Sequence, residues 1–344
     1  MESLVLKKIH LRPVDSTGLF VTELGLGGAA FGNAFVAVND EQVRATINTA
    51  WVSGVRYFDT APLYGFGLSE RRMGDALRVY PRDSYALSTK VGRLLLPDRS
   101  PKKDELFPES LPFHVKFDYS YDGIMRSFED SLQRIGTDYI DILFIDDINS
   151  CAHGSGHDTF FHELTVGGGN RALADLRSQK VIRAIGLGVD DWQTCVRIIP
   201  HVDLDCCMIA GLYTLLEQTL LTELFPICQR GNISIIAAGV FNSGILATGA
   251  KEGSHYNYRA ADEDVMARVN KIAKVCEDFE VELPQAAINF PLLHPQVSAV
   301  VVGAHTPEQF MKNNFYFRKT VPRAFWYALK QQGLLAANAP VAKI

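Results

Sequence analysis

The sequence predicts a single (β/α)₈ barrel, and three observations carry that expectation. Eight short apolar runs recur along the chain, at 24–28, 55–59, 85–91, 139–146, 183–189, 206–211, 233–238 and 297–303. They are almost continuously hydrophobic, as parallel strands covered on both faces must be. Stretches of helical periodicity separate them, with no all-helical break, which favours a closed barrel over an open doubly wound sheet. Three neighbouring runs carry ionisable residues at their C-terminal ends, Asp59, Lys90 and Asp146, the face where such a barrel carries its chemistry.

Each element has its own local reason. The opening stretch, 4–21, alternates weakly around Asp15-Ser16-Thr17-Gly18 and predicts a hairpin or extended lead-in. Residues 41–53 place Val43, Ile47, Ala50 and Trp51 at helical spacing, and Gly54 ends the pattern. Ser69 is expected to cap the helix that holds Met73, Ala76 and Leu77. Residues 121–135 put Ile124, Met125, Phe128, Leu132 and Ile135 on one face, closed by Gly136. Further helices are expected over 170–179, 191–199, 220–229, 263–279, 307–314 and 322–333. Two segments read as long loops, 92–119 and 148–169, which follow the third and fourth strands and should shape a substrate pocket.

Composition narrows the function. The 344 residues are 47% hydrophobic, enough for one large barrel domain over 1–344, and no repeat or interdomain linker is evident. A formal net charge of −5 without a basic block argues against a nucleic-acid partner. No run approaches the roughly 20 apolar residues that cross a bilayer, and residues 1–12 lack the apolar core of a secretory signal. Six cysteines with no CxxC pair read as free buried thiols in a reducing compartment, so a cytoplasmic protein is expected. Composition does not fix the oligomeric state.

The chemistry should stand at the strand ends. The second run ends in Phe58-Asp59-Thr60, with Tyr64 close behind; the third ends in Ser88-Thr89-Lys90; the fourth ends at Asp146-Asp147. A free phenol ionises near 10. An ammonium beside it favours the phenolate, so a Tyr–Lys pair can exchange a proton with a carbonyl or hydroxyl oxygen while Asp59 orients the lysine. The blander alternative is an Asp59–Lys90 structural ion pair with Tyr64 as a loop aromatic. Two other patterns mislead. Gly25-Leu26-Gly27-Gly28-Ala29-Ala30 imitates a dinucleotide fingerprint but does not open into a helix. His153, His157, Asp158 and His162 match no zinc spacing, so no metal is expected.

The run from Gly54 to Gly65 (GVRYFDTAPLYG), followed by Gly67, Ser69 and Glu70, resembles the signature of the aldo-keto reductases. Leu87-Ser88-Thr89-Lys90-Val91-Gly92 resembles their lysine strand, and Val302-Gly303-Ala304 with Pro307-Glu308-Gln309 their last cofactor motif. Phe117-Asp118-Tyr119-Ser120-Tyr121 and the segment from Gly239 to Leu246 are most similar to the branch holding D-threo-aldose 1-dehydrogenases (L-fucose or L-galactose dehydrogenases) and pyridoxal 4-dehydrogenases.

This resemblance implies a barrel that binds NAD or NADP without a Rossmann domain. It also implies a tetrad of Asp, Tyr, Lys and His, of which Asp59, Tyr64 and Lys90 match three. The fourth departs: Asp146 stands at the histidine's place. A protonated carboxyl donates a hydrogen bond and an ionised one cannot, and burial beside Asp147 should push Asp146 toward the protonated form.

On the cofactor side, the resemblance implies that Tyr213 stacks on the nicotinamide. It implies that Gly239, Val240, Phe241, Asn242, Gly244 and Leu246 wrap the pyrophosphate. Gly303, His305 and Thr306 then lead into a helix whose amides favour anions, with Gln309 and Asn313 at the adenine. Strand five departs from the family, Gly188-Val189 replacing the Ser-Asn pair that holds the carboxamide, and Asp190 is expected to take over that role. His305 stands where relatives that prefer NADP carry a permanent cation, which leans toward NAD. The expected activity is oxidation of the anomeric hydroxyl of a free aldose to a lactone. The alternatives are reduction of a bulky ketone, aldehyde or activated double bond, a pyridoxal 4-dehydrogenase, or, remotely, a non-catalytic cofactor-binding subunit. The partner in the catalytic readings is a small molecule.

Overall fold

A computed structural model describes residues 6–257 and 259–341. All eight apolar runs are strands of one closed, all-parallel barrel: β1 (Leu24–Gly27), β2 (Tyr57–Asp59), β3 (Ala86–Val91), β4 (Ile140–Asp146), β5 (Ile182–Val189), β6 (Cys206–Ala210), β7 (Ser234–Ala238) and β8 (Val297–Gly303). They pair in chain order, and β8 closes on β1.

The glycine-rich β1 has a packing cause. A Cβ on Gly25 would lie 2.8 Å from the Tyr57 ring, and one on Gly186 of β5 would lie 2.3 Å from Phe144. These glycines admit two large rings to the barrel interior, where Tyr57 and Phe144 pack with Ile142, Met208 and Ile236. The run that imitated a dinucleotide fingerprint is therefore β1 followed by the short 3₁₀ turn Ala29–Gly32.

The predicted hairpin pairs Leu11–Val14 with Leu19–Thr22, and Gly18 supplies the left-handed turn residue (φ 71°). Positions 4 and 5 of the stretch assigned to it lie outside the described residues. Val14, Leu19 and Val21 join the interior cluster, and the Asp15 amide donates to Ser234 Oγ at the start of β7 (2.9 Å). The hairpin thus stoppers the N-terminal end and leaves the C-terminal end as the mouth.

The helices follow the periodicity with four corrections. Ser69 does not cap; Gly67 (φ 93°) starts the helix Leu68–Leu77, and Ser69 Oγ is buried, donating to the Gly28 carbonyl (2.7 Å). The stretch 220–229 is two short helices, Leu220–Glu223 and Phe225–Gly231, with Pro226 opening the second. Leu283–Asn289, a helix with a capping box from Glu282 and Gln285, was not anticipated. Neither long loop is irregular. The first holds an antiparallel hairpin, Arg93–Pro97 with Phe113–Phe117; the second holds the helices Ser150–His153 and His157–Thr165. Of the six cysteines, five are buried as expected, but Cys151 is exposed.

Candidate active site

Barrel register brings the strand ends together: Asp59 pairs with Ser88, Lys90 with Phe144, and Asp146 with Gly188. Lys90 Nζ donates to both Asp59 oxygens (3.0 and 2.8 Å) and to the Thr60 carbonyl (2.9 Å), so its three protons are fully used. Ser88 Oγ donates to Asp59 Oδ1 (2.7 Å) and fixes the carboxylate from behind. Both members of the pair are buried. Burial disfavours the ammonium, but Asp59, Tyr64 and Asp146 outweigh it, and the lysine pKa rises. Lys90 is therefore charged at any working pH. A buried pair of this kind costs roughly 3–5 kcal/mol to break from one side.

Tyr64 follows β2 in a tight turn, its amide donating to the Ala61 carbonyl (3.2 Å). Gly32 packs flat against that turn; a Cβ there would fall 2.3 Å from the Tyr64 carbonyl carbon. Phe107, buried at the centre of the first long loop, supports the ring at 6.1 Å between centroids. Lys90 Nζ stands 5.0 Å from the Tyr64 ring centroid, which makes the lysine a fixed positive charge beside a half-buried phenol.

The end of β4 differs from expectation. Asp146 is buried, but its Oδ2 accepts from Arg93 Nε at 2.7 Å, and Arg93 Nη2 donates to Asp147 Oδ2 at 2.6 Å. A carboxylate facing a guanidinium in this way is an acceptor, so the expected role of Asp146 as a protonated donor is not realised. The carboxyl pushed up is Asp147, to about 7, first by burial and then by the charge of Asp146. Asp147 also has a left-handed backbone (φ 42°). Tyr119, fully buried, donates to the Asp146 carbonyl (2.6 Å) and shares a hydrogen bond with His153 Nε2 (3.0 Å). With its own proton spent on the carbonyl, Tyr119 accepts from His153.

The histidine-rich segment thus supports the mouth. His153 sits against Phe117 and Phe160, while Arg197 donates to His157 (3.1 Å) and Asp158 (2.7 Å). Among the described residues no group of His, Cys, Asp and Glu is arranged to hold a metal.

The residues expected at a cofactor fall into three groups. After β7, Gly239, Asn242, Ser243 and Gly244 all take positive φ (62°, 44°, 58° and 97°), folding the segment into a tight cradle. A cavity of about 80 Å³ lies between it and Val301–Gly303 of β8. Asn242 Nδ2 donates to the Gly211 carbonyl (3.1 Å), but its Oδ1 is buried with no partner among the described residues. An orphaned acceptor beside a lined cleft is what a missing ligand leaves, since buried polar groups are otherwise paired; this fits a bound nicotinamide dinucleotide. Val240 and Leu246 are buried in the core, Val240 also lining the cleft, and Phe241 is half-buried.

The second group opens the helix Pro307–Arg318. Thr306 caps it by accepting from the Gln309 amide (3.1 Å), and Gln309 Oε1 accepts from the His305 amide (2.7 Å). Asn313 Nδ2 reaches the Gly303 carbonyl (3.3 Å), and His305 Nε2 bonds the carbonyl of Ala34, in the segment after β1 (2.8 Å). Asp190, at the rim after β5, accepts from Asn149 Nδ2 (2.7 Å).

The third group is Tyr213 alone, and it is a correction. Its ring is 1% exposed and packs against Phe225 (4.8 Å) and Phe290 (5.0 Å) in the helix layer, with no face open to a nicotinamide. The left-handed Gly211 (φ 72°) reverses the chain just after β6.

A buried lysine–aspartate pair with an adjacent phenol thus stands at the mouth of the barrel. Comparisons with known proteins place the chain in a family. The model of the "Aldo/keto reductase family" matches residues 23–332. Pyridoxal 4-dehydrogenase of Microbacterium luteolum is 41% identical, covering 96% of this chain and 99% of its own. D-threo-aldose 1-dehydrogenase of a Pseudomonas species is 38% identical, covering 93% and 96%. The holo form of an aldo-keto reductase from Bacillus halodurans superposes with a TM-score of 0.73 at 23% identity, covering 96% and 98%. The chain belongs to the aldo/keto reductase family and is an oxidoreductase of nicotinamide cofactors.

Sequence reasoning missed Arg93, Ser88, Tyr119 and His153. The signal for Arg93 was present: two consecutive carboxylates ending a buried strand require a cation, and Arg93 follows Lys90 by three residues, just beyond the end of the neighbouring strand.

Proposed function

We propose that the chain oxidises the anomeric hydroxyl of a free aldose to a lactone, and the observation that carries this is Lys90 fixed by Asp59 beside Tyr64. The cleft between the β7 cradle and β8 would hold the nicotinamide cofactor, which would supply the hydride acceptor for the anomeric carbon. Tyr64, as phenolate, takes the hydroxyl proton; in reduction the same group returns it. Lys90 holds the phenolate form by its charge, and Asp59 and Ser88 hold Lys90. Asp146 keeps the guanidinium of Arg93 in place at the mouth. Gly239, Asn242 and Gly244 form the pyrophosphate cradle together with the backbone of Val240, Phe241 and Leu246; Gly303 and Thr306 lead to the helix N-terminus. Gln309 and Asn313 brace that loop where adenine would rest, and Asp190 stands at the carboxamide side.

NAD is the preferred cofactor in this reading, because His305 lacks a permanent charge and spends Nε2 on Ala34. A second reading, oxidation of pyridoxal, is favoured by the 41% identity to a pyridoxal 4-dehydrogenase across nearly the whole chain. A reduction screen of NAD⁺ and NADP⁺ over free aldoses, pyridoxal and secondary alcohols decides between them. Turnover of free aldoses with NAD at least as good as NADP supports the first reading. A hundredfold preference for NADP contradicts the role given to His305, and turnover confined to pyridoxal selects the second reading.

A further inference from the structure

The mouth holds a charge arrangement that the hydride chemistry itself does not require. Arg93 is 7% exposed, and two of its three nitrogens are committed: Nε to Asp146 and Nη2 to Asp147. The third, Nη1, is bonded to no group among the described residues. Asp59 balances Lys90, and Asp146 balances Arg93. Asp147 and Asp190 are left over, and both lie on the same side of the mouth.

We propose that Arg93, clamped between Asp146 and Asp147, is a specificity-determining residue: it offers a hydrogen-bond donor to a substrate hydroxyl without net positive charge, so the site takes neutral hydroxyl-bearing substrates and rejects anionic ones. The choice of free over phosphorylated or carboxylated substrate rests on the proposed dehydrogenase reading, but the charge argument applies to any substrate that enters the mouth.

A guanidinium that recognises an anion brings an uncompensated charge and a free two-pronged edge. Here the Nε and Nη2 positions are occupied by carboxylates, and an anion drawn to the remaining nitrogen comes close to the part-exposed Asp147 carboxylate held by the same guanidinium. Two like charges that close repel, and more strongly in a part-buried site than in bulk water. A neutral hydroxyl avoids that repulsion and still gains a charge-assisted bond.

The discrimination is tunable by pH. Asp147 titrates at about 7. It is faced by Asp146 on its own strand, Arg93 from the hairpin, Lys90 from β3, Asp190 beyond β5, and Tyr119 with His153 from the loop side. Below that value Asp147 is neutral and the mouth is less hostile to anions; above it, the negative charge is present.

The test compares a free hexose with the corresponding hexuronic acid, whose carboxylate stays ionised from pH 6 to 8. Benzaldehyde and 4-carboxybenzaldehyde, reduced with NADH or NADPH, form a second pair. The neutral member should be preferred in kcat/KM by at least tenfold at pH 8. That ratio should fall at pH 6. In Asp147→Asn, where asparagine tolerates the left-handed backbone equally well, the ratio at pH 8 should drop at least threefold. Arg93→Lys keeps the charge but loses the fork, and should raise KM for the neutral substrate about tenfold with a smaller change in kcat.

Equal or better use of the anionic member at pH 8 overturns the proposal. So does a ratio indifferent both to pH and to Asp147→Asn, and so does an unchanged KM in Arg93→Lys. If no sugar is oxidised yet the aldehyde pair shows the discrimination, the aldose reading fails and this inference stands.

Discussion

Lys90 and Arg93 stand three residues apart, and each meets a buried carboxylate at the same mouth. Their settings nonetheless differ in kind. Lys90 is a compact charge whose three donors are satisfied by one carboxylate and one carbonyl, leaving only its field to act on the Tyr64 ring 5.0 Å away. Arg93 divides its planar fork between two carboxylates and keeps one nitrogen. The first arrangement moves a neighbour's proton; the second positions a donor and sets the charge of the entrance. The comparison shows that the cation's shape decides what a strand-end ion pair is for.

The largest expected effect belongs to the lysine side. Tyr64→Phe removes the only proposed proton acceptor and should lower kcat by roughly 10²–10⁴, with cofactor affinity from a binding titration nearly unchanged. Turnover near wild type would show that another group serves the oxygen.

Next comes the stability of the same unit. Asp59→Asn leaves a buried ammonium without a counter-charge, and unfolding in urea should show a loss on the order of 3–5 kcal/mol. A loss below about 1 kcal/mol would mean that water reaches Lys90.

The arginine side should respond with opposite sign. Asp147 has its folded pKa raised to about 7 by burial, against about 3.9 for an unfolded aspartate. Between those values the folded state keeps the proton and the unfolded state does not, so this residue makes stability fall as pH rises from about 4 to about 7. Asp147→Asn should therefore be more stable than wild type at pH 8, by on the order of 1–3 kcal/mol. The gain should shrink toward pH 5. Destabilisation at pH 8 would show that the Arg93–Asp147 contact outweighs the burial cost.

The smallest effect lies across the cleft. Thr306→Ala removes the cap of the helix Pro307–Arg318 and should cost about 0.5–2 kcal/mol, with a modest rise in cofactor Kd. An unchanged Kd would separate that helix end from the cofactor.

How much of this was legible in the sequence follows from the range of the forces involved. The barrel strands and most helices were readable because burial imposes a local period, as in Ile124, Phe128 and Ile135 on one face. Asp59, Tyr64 and Lys90 were readable because their spacing follows from strand and turn geometry. The hairpin at Arg93–Pro97 and Phe113–Phe117 was not, because its partners are separated by a long charged insertion and paired only in three dimensions. Missing that hairpin left Asp146 without its arginine, and the inferred protonated carboxyl followed from that gap. Tyr213 failed for a related reason: its ring is taken up by Phe225 and Phe290, partners distant in sequence that local pattern does not reveal.

The central claim is that the charge of Lys90 sets the proton affinity of Tyr64. Its most direct test is the single-turnover oxidation rate, with cofactor and substrate saturating, followed across pH in wild type and Lys90→Met. The account predicts that loss of the ammonium displaces the limb on which the rate rises to higher pH by about one unit or more, so that activity lost at neutral pH is partly recovered in alkali. Lys90→Met with its limb at the wild-type position, whatever its absolute rate, would contradict the claim.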